Sequence, residues 1–100
     1  MPSISMDTAH SLGKDEAVRR LQQKFSAVRA TLGRQVNDLH EEWADGILSF
    51  GFKAVGMKVD GTVTVEDDAV KLAAKVPLAA MMFKGKIEQR IREELGDLLA

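Results

Sequence analysis

The stretch "WADGILSFGFKAVGMKVDGTVTVEDDAVKLAAKV", residues 43–76, decides the fold, because its alternation and its turns can be checked against one another. Met57, Val59, Val63 and Val65 alternate with Lys58, Asp60, Thr62 and Thr64, the period of a half-buried strand. In "ILSFGFKA", Leu48, Phe50, Phe52 and Ala54 take the inward parity. A two-residue turn at Val55-Gly56 sets Ala54 opposite Met57, Phe52 opposite Val59 and Phe50 opposite Gly61. The apolar sets then coincide, with the Phe50 ring over the glycine gap. A four-residue turn at Glu66-Asp67-Asp68-Ala69 pairs Val65 with Val70, Val63 with Leu72 and Gly61 with Ala74.

Working backwards, Asp45-Gly46 is a type I′ hairpin signal. It places Trp43 opposite Leu48, Glu41 opposite Phe50 and Leu39 opposite Phe52, so one carboxylate points at the core face. An unpaired charge there would be costly. Three readings of Glu41 stay open: a bulge or frayed edge that returns it to water, an inward charge that discourages edge pairing, and a polar group lining a ligand cavity.

Outside the meander, Ser3 to Ala9 alternates with Ile4 and Met6 on one side, which predicts a further strand. From Lys14 to Leu32, Val18, Leu21, Phe25, Val28 and Leu32 recur at threes and fours. Asp15 with Arg19 and Glu16 with Arg20 add acid-before-base pairs, which predicts an amphipathic helix with Gly33 at its C′ position. Pro77 stands where a second helix would begin, and Ala80, Phe83, Ile87, Ile91, Leu95 and Leu98 form its stripe. The expected architecture is α+β: one antiparallel sheet with two helices on one face, in the order β-α-β-β-β-β-α. At 100 residues and 45% hydrophobic, with no repeat or linker, the chain suits a single domain over 1–100.

The same pattern narrows the chemistry. The chain has no cysteine, which removes disulfides and thiolate chemistry and fits a reducing compartment, with the cytoplasm as the expected location. The longest apolar run, Val76 to Phe83, is far short of the ~18–20 residues that a membrane span needs. Gly13-Lys14 lacks the surrounding residues of a phosphate loop. Gly13 reads better as a helix N-cap, with Ser11 as the alternative and Asp15 and Glu16 at the positive end of the helix dipole. No Ser-His-Asp order or defined carboxylate pair stands out, so no catalytic residue, enzyme activity or cofactor is expected. His10 and His40 make no metal spacing. His10 reads first as a structural histidine at a strand-helix corner, and His40 as a solvated one. Arg19, Arg20, Lys24, Arg29 and Arg34 could form a phosphate-facing strip, but there is no aromatic platform and the net charge is -1. A solvated helix face accounts for them better, and no nucleic-acid partner is expected.

The start of the last helix is apolar nearly all round, because Leu78, Met81 and Met82 point away from the stripe. Either it is wedged between the sheet and the first helix, or it forms an exposed patch for self-association or hydrophobic docking. Taken together, "HSLGKDEAVRRL" (10–21), "EEWADGILSFGFKAVGMKVDGTVTVEDDAVKL" (41–72) and "VPLAAMMFKGKIEQRI" (76–91) resemble the small bacterial polyhydroxyalkanoic acid system proteins. The carriers are His10, Leu12 and Ala17, then Trp43, Phe50, Gly56, Gly61 and Val65, then Leu72 and Pro77. The resemblance implies association with the synthesis or storage of polyester granules in bacteria and brings no catalytic residues with it. The two-faced apolar start of the last helix makes Leu78, Met81, Met82 and Phe83 the expected contact residues, toward a granule surface or granule proteins. The alternatives are a carrier that holds a hydrophobic acyl ligand between sheet and last helix, with Glu41 or His10 as polar handle, and an obligate homodimer.

Overall fold

The computed structural model describes residues 3–54 and 56–100. β1 (Ser3–Ala9), α1 (Lys14–Leu32), β2 (Asn37–Ala44), β3 (Ile47–Ala54), β4 (Met57–Val65) and β5 (Ala69–Lys75) precede a short 3-10 helix, Leu78–Phe83, and α2 (Lys84–Leu98). The strands form one antiparallel sheet in the order β1-β5-β4-β3-β2. This is the α+β order expected from the alternation and periodicity.

The meander has the register that its apolar parity demands. Phe52 faces Val59, Phe50 faces Gly61, Val63 faces Leu72 and Val65 faces Val70. Ala54 pairs with Met57, while the expected turn residue Val55 and the side chain of Ala54 lie outside what is described. Asp45 and Gly46 both take positive φ, 53° and 76°, as a type I′ turn requires, and Trp43 faces Leu48 while Glu41 faces Phe50. One expected pair is displaced. The β2–β3 register steps between Asn37 and His40, with Asp38 at φ 55°, so Leu39 lies in a bulge instead of a regular pair with Phe52. β1 closes the other edge, with Met6 opposite Leu72.

Both helices cover the inward face. Ala17 and Leu21 of α1 and Leu99 beyond α2 meet Met6, Leu48, Val63, Val65, Val70 and Leu72 in one core, with Ile91, Leu95 and Leu98 packed against it. Each fully buried aliphatic side chain of this kind stabilises the fold by about 1.5–3 kcal/mol. The opposite face carries exposed Ser3, Ser5, Asp7, Ser49, Thr62 and Lys71.

The corner "HSLGK" is built by long-range bonds. Gly13 is the N-cap of α1 at φ 82°, which suits glycine, but no capping box forms. The Lys14 amide donates instead to Asp67 Oδ1 at 3.2 Å, so the β4–β5 turn caps the helix. His10 is half-buried beside it: its Nδ1 accepts from the Leu12 amide at 3.1 Å and its Nε2 donates to the Glu66 carbonyl at 3.0 Å. At the other end, Gly33 is a C-cap in right-handed conformation and not the expected left-handed residue. The chain leaves the helix with the Gln35 and Val36 amides donating hydrogen bonds to the Leu32 carbonyl oxygen.

Ion pairs run along α1, and one of them crosses to α2. Glu16 binds Arg19 at 2.6 Å and Arg20 at 2.9 Å, and Arg20 also donates to the main-chain oxygens of Leu98 and Ala100. Lys24 meets Glu94 across the helix pair at 2.8 Å. Hydrogen bonds from Arg19 and then Arg20 hold the Glu16 carboxyl down at about 2. The hydrogen bond from Lys24 lowers Glu94.

The second helix departs from expectation at its start. The turn after Pro77 is 3-10, with the Ala80 amide bonded to the Pro77 carbonyl, and α2 begins only at Lys84. No side chain caps this turn, and none of its residues is fully buried, so packing does not impose α geometry on it.

Two outcomes follow from this packing. A Cβ at Gly61 would stand 2.6 Å from Phe50 Cζ and 2.8 Å from the Ala73 carbonyl oxygen. Gly61→Ala should therefore lose about 1–3 kcal/mol of stability in urea unfolding, and less beside Phe50→Leu than the two single losses summed. Because Glu16 titrates lower in the folded chain, its contribution is present above the ordinary carboxylate range and fades as pH falls from about 4.5 through about 2. Glu16→Gln should be less stable than wild type at neutral pH, and acid titration of both should show that gap closing toward pH 2.

Candidate functional site

Register sorts the surface into two ends. The β2–β3 turn, the β4–β5 turn and the start of α1 share one end, where the Val65 amide bonds the Gly46 carbonyl. The opposite end gathers the start of β2, the junction of β3 and β4, the end of β5 with the 3-10 helix after it, and the start of β1.

The 3-10 helix leaves its apolar side chains in water. Leu78 is 77% exposed, Met82 85% and Phe83 56%, while Met81 is half-buried. Met57, exposed at the start of β4, lies at the same end, whereas Ile47 lies at the other. Among the described residues, four of the five exposed large apolar side chains thus gather at one end of the sheet.

At that end a cavity of about 400 Å³ lies between the C-terminal half of α1 and the strands β2 and β3. Phe25, Val28 and Leu32 form its helical wall, and Leu39, Phe50 and Phe52 its sheet wall. The Phe25 and Phe50 rings meet at 5.9 Å between centroids, tilted by 46°. Beyond them a smaller slot of about 210 Å³ lies between the two helices and the sheet, beside Ile91 and Leu95 and bordered by Lys24 and Glu94. The two spaces share Phe25, Val28 and Phe50.

Glu41 is the polar feature of this cavity. Its side chain is only 20% exposed and is paired with Arg29, whose side chain is 55% exposed. The bulge therefore does not return Glu41 to water. The strand parity that points it inward is met by a cation from the helix above, one turn beyond Phe25. The periodicity of α1 names Phe25, Val28 and Leu32 as core; Phe25 does pack against the core cluster, Phe25 and Val28 also border the slot beside α2, and all three form the helical wall of the cavity. Arg29 was legible only as one member of a basic helix face. Four of those five cations, Arg19, Arg20, Lys24 and Arg29, are engaged in ion pairs within the chain.

His10 lines neither space; it stands at the opposite end, in the corner that holds α1 to the β4–β5 turn. His40 borders the cavity on β2 but is exposed, with its ring packed against Gly51 and its Nδ1 3.1 Å from the Asp38 carbonyl oxygen. No helix among the described residues is long and apolar enough to cross a membrane.

His10→Ala should cost about 1–2 kcal/mol in chemical unfolding, since it deletes two hydrogen bonds at one corner. Arg29→Met should lose about 1–3 kcal/mol, because it leaves the Glu41 carboxylate facing Phe50 without a partner. Adding Glu41→Leu to Arg29→Met should recover most of that loss, and the same unfolding series measures it.

The model of the family described as "Putative polyhydroxyalkanoic acid system protein" matches residues 4–99. No curated protein matches the chain. Among solved structures, the crystal structure of TTHA0849 from Thermus thermophilus is similar at 16% identity, over 98% of this chain and 92% of that one. The TM-score between the two is 0.37.

Proposed function

The chain belongs to the polyhydroxyalkanoic acid system protein family, and on that premise we propose that it is a non-enzymatic accessory protein of polyhydroxyalkanoate metabolism that docks end-on to the polyester granule surface. The observation that carries this reading is the gathering of Met57, Leu78, Met82 and Phe83, all exposed, at one end of the sheet. A polyester surface offers methylene groups and ester carbonyls with no net charge, and a patch rich in methionine adapts to such an irregular apolar partner. Granule proteins and a second copy of the chain are the competing occupants of the same patch. The location is then the cytoplasm, at the granule.

Because Leu78 and Met82 are exposed and Met81 is half-buried, the informative variant is Leu78→Asp with Met82→Asp. Wild type should co-sediment with amorphous polyhydroxybutyrate particles and not with phospholipid vesicles, and the double variant should remain in the supernatant with an unchanged circular dichroism spectrum. Equal sedimentation of both proteins would remove the patch from the interaction. Loss of a dimer in ultracentrifugation without particle binding by wild type would assign the patch to self-association.

A further inference from the structure

The space under the C-terminal half of α1 is built differently from the exposed patch. It has a definite shape, an aromatic back wall and one neutralised ion pair, and its volume falls within the about 300–1,000 Å³ of small-molecule sites. We propose that this cavity binds an uncharged hydroxyacyl ester, the chemistry of a polyester chain end, with the alkyl part against Phe25, Phe50 and Phe52 and the polar end at Arg29 and Glu41. The identification of the source rests on the granule reading above; the choice of an uncharged ligand does not.

That choice follows from the ion pair. Arg29 spends Nη1 on one oxygen of Glu41, so the guanidinium keeps further N–H donors and the carboxylate keeps its second oxygen. An uncharged hydroxyacyl ester uses both without breaking the pair: its hydroxyl donates to Glu41 and its ester carbonyl accepts from Arg29. A free carboxylate must either share Arg29 with Glu41, setting two anions side by side where the Glu41 carboxylate is largely shielded from water, or displace Glu41 and leave it unpaired. Glu41 thus acts as a charge filter against free acids. A bare hydrocarbon would fill the apolar walls but leave the pair's remaining donors and acceptor facing alkyl groups, a poorer exchange for their water. The neighbouring slot shares Phe25, Val28 and Phe50 with the cavity, so a longer alkyl branch would be directed toward it past Phe25.

The test compares methyl 3-hydroxyoctanoate with 3-hydroxyoctanoate on the full chain at pH 7, by calorimetry and by the shifts of the Phe25, Phe50 and Phe52 ring resonances. Wild type should bind the ester at least about tenfold more tightly than the acid, with shifts confined to those rings and their neighbours. Glu41→Gln leaves Arg29 without its counter-ion and should reverse the preference in favour of the acid. Val28→Phe, which fills the cavity from the helix side, should weaken both ligands together, so the proposal stays testable if Glu41→Gln does not fold. Equal affinity for ester and acid, preference of wild type for the acid, absence of saturable binding, or ring shifts elsewhere would each overturn the proposal. Ester binding retained by Leu78→Asp/Met82→Asp, with particle binding lost, separates the two sites. Ester binding without any wild-type particle binding would fail the surface reading and leave the cavity standing.

Discussion

Parity in the four-strand meander is the constraint on which the rest of the molecule depends. Once Phe50 lies over Gly61 and Val63 faces Leu72, one face of the sheet is apolar and the other carries Ser, Thr and Lys. A slip of one residue would turn every one of those side chains to the wrong face. The helices then have a single place to bury their stripes. Because the strand order runs from β2 across to β5 and then to β1, the chain enters and leaves the meander on opposite sides, and α1 must cross the sheet to connect β1 to β2.

That crossing explains why the cavity exists. The N-terminal half of α1 is held on both sides: Asp67 caps its first amide, while Arg20 and Lys24 reach α2. Its C-terminal half reaches toward the β2 edge, where the Phe25–Phe50 contact and the Arg29–Glu41 pair bridge helix and sheet. An apolar helix face propped above an apolar sheet leaves space between side chains that a closer approach would fill. The basic character of α1 serves this arrangement. Arg19 and Arg20 pair with Glu16 inside the helix, Lys24 reaches Glu94 of α2 and Arg29 reaches Glu41 of β2, so these four charges are engaged within the chain.

How much of this was legible follows from the range of the signals. Period-two alternation and the Asp45-Gly46 turn are local, and they placed Glu41 on the inner face and Phe50 over Gly61 correctly. Nothing in Ser3–Ala9 names β5 as its partner, and nothing near Gly13 names Asp67 as its cap, because both depend on residues brought in from more than fifty positions away. Arg29 opposite Glu41 needs the rotational phase of α1 against β2, which periodicity within either element does not contain. The 3-10 start before α2 was hidden for the same reason: the apolar count of Leu78 to Phe83 reads as a helix whether or not anything packs on it. Exposure of Leu78 and Met82 is a property of what is absent around them, and a sequence records only what is present.

The pairing of β1 with β5 has a consequence for the order in which the molecule assembles. Synthesis delivers β1 and α1 first, yet the partner of Ser3 is Lys75 and the cap of α1 is Asp67. Until the β4–β5 turn has emerged, the first third of the chain has an amphipathic helix with no sheet to cover and an edge strand with no neighbour. The hairpins from β2 to β5 need only local loop closure, so they are the natural nucleus, and the N-terminal third docks onto a template already formed. During that interval Val18, Leu21 and Phe25 lie open to any chaperone or apolar surface nearby, so the nascent chain is stickier than the finished one.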